Sequence, residues 1–187
     1  MTLLEELLDF NSKFVEEEKY LEYRTTSTPD KKLLIVSCMD TRLTELSLKA
    51  LGLKNGDIKQ VKNAGAVISH PYGSTMRSIL VGVYQLNVDE VIIMGHYDCG
   101  FGALKPEPIV QAMQDRGINK SVFETLEHSG IEVYSWLKGF DSVEESVLEG
   151  VKNIKNHPLM DDSVPIHGLV MNPETGKVDL IVNGYEY

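Results

Sequence analysis

Two short stretches contain the residues whose side chains could do chemistry. In "MGHYDCGFG", His96 and Cys99 lie three positions apart directly after an apolar run, and in "LLIVSCMDTR" another apolar run ends at Cys38. The chain has no other cysteine. Thiolate and imidazole are ligands that zinc prefers, and three protein ligands are typical of a catalytic zinc site, which keeps one position open. The pattern therefore predicts a zinc site formed by Cys38, His96 and Cys99.

Asp40 and Arg42 follow Cys38 closely enough to act at the same site. Two thiolates offset the charge of the metal, so such a site benefits from an acceptor that takes part in proton transfer. We expect Asp40 to be this catalytic acceptor and Arg42 to keep its carboxylate ionised through a bidentate pair. If that pair were broken, Asp40 could become a fourth metal ligand and close the site. An ordinary surface ion pair is the alternative interpretation.

The elements that must position these residues alternate along the chain. The apolar runs "KLLIVS", "IKQV" and "DEVIIMG" predict strands, and the periodic stretches between them predict helices. This alternation indicates an α/β fold with a mostly parallel central sheet flanked by helices. We expect two or three helices after the third strand, the clearest beginning at Ser142. The stretch "PETG" then predicts a C-terminal hairpin that adds an antiparallel edge strand.

The chain as a whole, residues 1–187, is predicted to form a single domain with an N-terminal helical arm over about 1–24. Apolar residues recur at helical spacing in this arm, at Leu3, Leu7, Phe10 and Phe14. Both cysteines follow the carboxyl ends of predicted parallel strands. Open α/β sheets build their sites at that edge, so a shared site for distant residues is expected there.

The composition limits the classes of partner. With 42% apolar and 25% charged residues, the chain is typical of a soluble globular protein. The formal net charge of -10 and the lack of a basic tract argue against a nucleic-acid partner. No apolar run approaches the roughly 20 residues that span a bilayer, and the acidic N-terminus lacks the basic start of a secretion signal. We therefore expect no membrane association and a cytoplasmic location.

At these residues the chain resembles the β-class carbonic anhydrases. The stretch "CMDTR" matches that family's Cys-x-Asp-x-Arg element, "KNAGA" its Asn-Ala-Gly turn, and "GHYDCGF" its His-x-x-Cys-Gly element. The chain is most similar to the compact microbial branch. It departs from plant-type members at Met39 and Thr41, where they more often carry small serine-like residues, and it places the acid Asp98 beside Cys99.

The resemblance implies a zinc enzyme, a carbonate dehydratase, that hydrates carbon dioxide reversibly to bicarbonate and a proton. It implies Zn²⁺ as the cofactor and the same ligands that the residue types suggest. By position, Asp40 and Arg42 would form the catalytic dyad, and the backbone around Asn63, Gly65 and Ala66 would bind substrate.

The resemblance also implies a homodimer or a higher homo-oligomer. In the family, the first helix of each subunit lies across its partner. The apolar face from Leu3 to Phe14 is compatible with that arrangement, and equally with a helix packed on its own domain.

Two other functions remain open at this point. Another small heterocumulene, such as carbon disulfide, could be hydrolysed at the same metal site. Alternatively, the chain could be a non-catalytic zinc- or anion-binding module, because "KNAGA" and "GFG" could bind an anion at helix N-termini. Neither a P-loop nor a complete dinucleotide fingerprint is present. A cysteine phosphatase is excluded, because only four positions separate Cys38 from Arg42 and a phosphate loop needs a longer arc of backbone amides.

Overall fold

The computed structural model describes all 187 residues and contains one five-stranded sheet with the strand order β2-β1-β3-β4-β5. The first four strands are parallel to their neighbours, and β5 pairs antiparallel with β4. The strands are β1 (Leu33–Cys38), β2 (Ile58–Asn63), β3 (Glu90–His96), β4 (Ile166–Met171) and β5 (Val178–Val182). The predicted fold class is therefore confirmed, including the antiparallel edge strand.

The strand order reverses at β1, which has β2 on one edge and β3 on the other. In the register of these pairs, Cys38 lies opposite Asn63 of β2, and Ser37 lies opposite Met94 of β3. The carboxyl ends of β1 and β3 are consequently neighbours at a topological switch point. Open α/β sheets bind their ligands in the crevice at such a point.

Helices cover both faces of the sheet. They are α1 (Leu3–Glu16), α2 (Leu43–Lys49), α3 (Ser74–Gln85), α4 (Pro106–Asp115), α5 (Lys120–His128), α6 (Val133–Leu137) and α7 (Val143–Lys155), with 3-10 turns at Lys19–Tyr23 and Ala64–Ala66. Helices α3 and α7 contribute to one apolar core, and Leu43 of α2 contributes to a second. No helix combines the length and the apolar character that a membrane span requires.

Four helices, rather than the expected two or three, lie between β3 and the hairpin. The reason is local: Gly117 and Gly130, which follow α4 and α5, have φ values of 98° and 79°. Glycine adopts this left-handed conformation without steric cost and so ends a helix. What the sequence pattern presents as a longer helical region is thereby divided into short helices.

Helix α7 begins where the sequence predicts. The side chain of Ser142 accepts a hydrogen bond from the backbone N–H of Glu145 at 3.2 Å, which satisfies one of the free N–H groups of the first turn. Val147, Val151 and Ile154 are buried on one face, and the helix packs against β3 and β4. Each such side chain contributes about 1.5–3 kcal/mol on burial, so α7 fixes these two strands in place.

Helix α1 differs from the other long helices because none of its residues is buried. A complete capping box between Thr2 and Glu5 defines its N-terminus. Six of its large apolar side chains are more than half exposed: Leu3, Leu4, Leu7, Leu8, Phe10 and Val15. Phe14 is half-buried, with its ring centroid 6.1 Å from that of Tyr23. Most of the apolar face that the sequence predicts for this helix is therefore left open to solvent by its own chain.

Candidate metal centre

The structure brings Cys38, His96 and Cys99 together at the carboxyl edge of the sheet. The two sulfur atoms and a ring nitrogen of the histidine all lie within 4.8 Å of one another. The Sγ atoms are 3.8 Å apart, and both cysteines are free thiols. Cys38 ends β1 and His96 ends β3, whereas Cys99 belongs to the turn that follows β3. Three side chains from two separate parts of the sequence could therefore hold one metal ion.

The imidazole of His96 is oriented for ligation. Its Nδ1 forms a 2.8 Å hydrogen bond with the carbonyl oxygen of Tyr97, so Nδ1 carries the proton and Nε2 the lone pair. His96 is fully buried, and its Nε2 has no hydrogen-bond partner. A buried acceptor without a partner costs free energy, whereas a metal ion would satisfy it. Two sulfur donors and one nitrogen donor suit a borderline-soft divalent metal, so the residues fit such an ion.

The pKa values of the two thiols are shifted in opposite directions. The hydrogen bond from Cys99 lowers the pKa of Cys38, burial opposes that change, and the nearby imidazole of His96 adds to it. The same bond between the sulfurs raises the pKa of Cys99, and burial raises it further. For His96, burial lowers the pKa, but the nearby Cys38 sulfur and the hydrogen bond to the Tyr97 carbonyl raise it overall. The contact between the sulfurs therefore favours ionisation of Cys38 over ionisation of Cys99.

Asp40 and Arg42 lie beside these ligand atoms and form a bidentate pair. Arg42 Nε donates to Asp40 Oδ1 at 3.0 Å, and Arg42 Nη2 donates to Oδ2 at 2.9 Å. Mainly through these bonds, Arg42 lowers the pKa of Asp40 to about 2, so the carboxylate is ionised at neutral pH. Asp40 Oδ2 is 3.8 Å from His96 Nε2. An ionised acceptor is thus held at the edge of the candidate metal site.

A cavity of about 850 Å³ opens above the sulfurs and this pair. Both cysteines, Asp40 and Arg42 line it. Apolar residues form much of the remaining wall: Met39, Ala64, Phe101, Leu104 and Leu137. The cavity therefore combines an apolar wall with a small number of polar groups, as small-molecule sites do.

The turn after β2 supports one side of this cavity. The Asn63 side chain accepts a hydrogen bond from the backbone N–H of Val67 and donates one to its carbonyl oxygen, which closes the turn. Gly65 has φ 74°, and a Cβ there would lie 2.7 Å from Phe101 Cδ1. Gly65 lines the cavity, whereas Asn63 and Ala66 are not among its lining residues, and Ala66 is buried.

Several residues of the cavity wall were not predicted from the sequence, among them Leu104, Leu137 and Asp98. Leu104 and Leu137 lie at the two ends of the α4–α6 region, and the Gly139 N–H joins these ends through a 3.2 Å hydrogen bond to the Leu104 carbonyl. Nothing in the sequence distinguishes these leucines from core residues. Asp98 carried a local signal, its position beside Cys99, but its contacts with Arg42 depend on the fold.

Comparisons of the sequence and of the structure with known proteins both find carbonic anhydrases. Residues 33–178 match the family model described as carbonic anhydrase. The Bacillus subtilis protein YvdA, for which carbonic anhydrase is a provisional name, is 54% identical over 186 residues, covering 100% of this chain and 94% of YvdA. The crystal structure of β-carbonic anhydrase isoform I from Trichomonas vaginalis superposes with a TM-score of 0.88 at 32% identity, covering 99% of this chain and 100% of that one. A carbon disulfide hydrolase from Acidithiobacillus thiooxidans is 29% identical and covers 79% of this chain and 75% of its own length.

Proposed function

This chain belongs to the β-carbonic anhydrase family, and from that premise we propose that it is a zinc enzyme that converts carbon dioxide and water reversibly into bicarbonate and a proton. Cys38, His96 and Cys99 would hold the zinc, and Asp40 and Arg42 would form the catalytic pair.

One observation supports this proposal most directly. The three candidate ligand atoms lie within 4.8 Å of one another, and the bidentate Asp40–Arg42 pair lies beside them at the wall of a largely apolar cavity. A site that only stored a metal would have no use for an ionised carboxylate held next to the ligands. Zinc, when bound, acts as a Lewis acid that makes water nucleophilic near neutral pH.

The cavity wall, Asp40 and Arg42 then have different roles in the reaction. The apolar wall of the cavity suits carbon dioxide, which carries no charge, and limits the water that competes for the same space. Asp40 accepts a hydrogen bond from the attacking water and thereby directs a lone pair at the carbon of carbon dioxide. Arg42 keeps that carboxylate ionised and in one orientation. Bicarbonate leaves through the open cavity, and the proton passes to solvent.

The direct test is metal analysis of the purified chain, combined with a stopped-flow assay of carbon dioxide hydration across pH. We expect one zinc per chain and hydration well above the rate without enzyme. Removal of zinc by a chelator should abolish the activity, and added zinc should restore it. Stoichiometric zinc without hydration at any pH would contradict the proposal and favour a non-catalytic module.

A second substrate is supported by the similarity to the carbon disulfide hydrolase. The same cavity would accept carbon disulfide, which is also linear, uncharged and apolar. Parallel assays on both substrates decide between them. A higher kcat/KM for carbon disulfide than for carbon dioxide would make carbon disulfide the principal substrate.

We further propose that the protein works as a homodimer or higher homo-oligomer in which α1 packs on a partner subunit. The helix has 14 residues and buries none of them. An isolated helix of that length is marginally stable in water, and a continuous apolar face on the surface is typical of an interaction site.

The double substitution Leu4→Glu with Leu7→Glu should weaken this association, because it places two charges in the middle of the apolar face. Losing the burial of two leucines should raise the dissociation constant at least about a hundredfold. Sedimentation velocity over a range of concentrations measures the change. The matched control, Ser12→Glu with Lys13→Gln, alters net charge equally on the polar face and should leave association unchanged. Association that survives the leucine substitutions would show that α1 is not the interface.

A further inference from the structure

The guanidinium of Arg42 joins two carboxylates rather than one. Besides its two bonds to Asp40, it donates from Nη1 to Asp98 Oδ2 at 2.9 Å and from Nη2 to the Asp98 carbonyl oxygen at 2.9 Å. Four of its five N–H donors therefore point at these two residues. Arg42 thus connects the turn that carries Cys38 with the turn that carries Cys99.

The backbone of Asp98 makes this double contact possible. Its φ of 53° lies in the left-handed region, which aspartate tolerates better than most residues do. In this conformation both the carboxylate and the carbonyl oxygen of Asp98 face the same guanidinium. Asp98 therefore limits the rotation of Arg42 from the edge of the guanidinium next to the one that binds Asp40.

The position of Arg42 determines how far the carboxylate of Asp40 can rotate. Asp40 Oδ2 is only 3.8 Å from His96 Nε2, so a small rotation of the carboxylate would bring it among the ligand atoms. The bidentate pair with Arg42 opposes that rotation, together with the backbone N–H of Arg42, which donates to Asp40 Oδ1 at 2.9 Å. An arginine that is itself held in place opposes it more strongly than one that can follow the moving carboxylate.

We infer that Asp98 is a positioning residue, which fixes Arg42 and through it keeps Asp40 out of the metal's coordination shell. This inference rests on the zinc site of the proposed function. The Asp98 side chain is 86% exposed, so its ion pair with Arg42 adds little to the stability of the fold. Its effect is on the equilibrium between Asp40 paired with Arg42 and Asp40 bound to the metal.

The test uses the Co(II)-substituted protein, because its visible absorption spectrum changes when a carboxylate oxygen enters the coordination shell. Asp98→Gly removes the carboxylate without strain at a positive φ. We expect it to raise the ratio of metal-bound to Arg42-paired Asp40 about twofold to fivefold, the range for one exposed ion pair. Asp98→Asn keeps an oxygen that can accept the Nη1 bond, and should restore most of the wild-type spectrum.

Two further variants distinguish the positioning of Arg42 by Asp98 from a nonspecific structural effect of the substitution. In an Asp40→Asn background, Asp98→Gly should cause no spectral change, because the entering carboxylate is absent. Asp89→Ala removes another exposed aspartate that is paired with a basic side chain, Lys32, and should also have no effect. A spectral change that persists in the Asp40→Asn background would overturn the inference, as would a wild-type spectrum for Asp98→Gly.

If Asp98→Gly does not fold, Asp98→Ala provides the same information, because it also removes the carboxylate that accepts from Arg42 Nη1 and leaves both groups of the Asp40–Arg42 pair in place. It should shift the spectrum in the same direction, and an unchanged spectrum would overturn the inference. None of these readouts requires turnover. A protein that hydrates no carbon dioxide but shows the Asp98→Gly shift would contradict the proposed function alone.

Discussion

Cys99→Ser is expected to remove the metal and abolish activity while leaving the fold intact. A serine hydroxyl is a far poorer ligand than a thiolate for a borderline-soft metal. Loss of an outer partner of a metal ligand typically costs ten- to a hundredfold in affinity, so loss of a ligand should cost more than about a hundredfold. Zinc content after dialysis and the far-ultraviolet circular dichroism spectrum measure the two parts of this expectation.

Ser37→Ala is the matched control for this substitution. Ser37 is fully buried in β1 beside Cys38, and its hydroxyl has no hydrogen-bond partner. Its removal leaves no new unsatisfied group, so stability and zinc content should stay close to those of the wild type. Full zinc content in Cys99→Ser would show that Cys99 is not a ligand, and the assignment of the metal site would have to change.

Asp40→Asn is expected to keep the zinc and lose most of the turnover. Asparagine preserves the shape of the side chain but removes the charge that accepts the hydrogen bond from the attacking water and attracts Arg42. The loss in kcat should be on the order of a hundredfold or more, the range for a positioned acid or base. Because Arg42 lowers the pKa of Asp40 to about 2, the wild-type carboxylate is ionised throughout the neutral range, and the loss should persist across it.

Asp57→Asn provides a comparable change away from the site. Asp57 is buried, and its carboxylate accepts a hydrogen bond from the backbone N–H of Lys54 at 3.0 Å. It precedes β2, at the opposite end of the sheet from the candidate site. This variant should retain both zinc and turnover. Unchanged hydration in Asp40→Asn would remove Asp40 from the mechanism, while reduced zinc would mean that Asp40 supports metal binding instead.

The sequence by itself determined the fold class and the three candidate ligands. Its apolar runs have the length and the β-branched composition of buried strands, and parallel strands bring their carboxyl ends to one edge. Cys38 and His96 end two of those strands, so their approach could be predicted without knowing the strand order. The pairing of Asp40 with Arg42 could also be predicted, since the two residues lie only two positions apart along the chain.

The tertiary structure alone decided which other residues complete the site. Strand order places β1 between β2 and β3, and β1 contributes residues to both apolar cores. Leu104 and Leu137 line the cavity because the α4–α6 region folds back on itself, which no periodic pattern encodes. The contact between Asp98 and Arg42 spans 56 positions and joins two turns. Local patterns specify elements and near neighbours, whereas contacts between distant turns depend on how the elements pack.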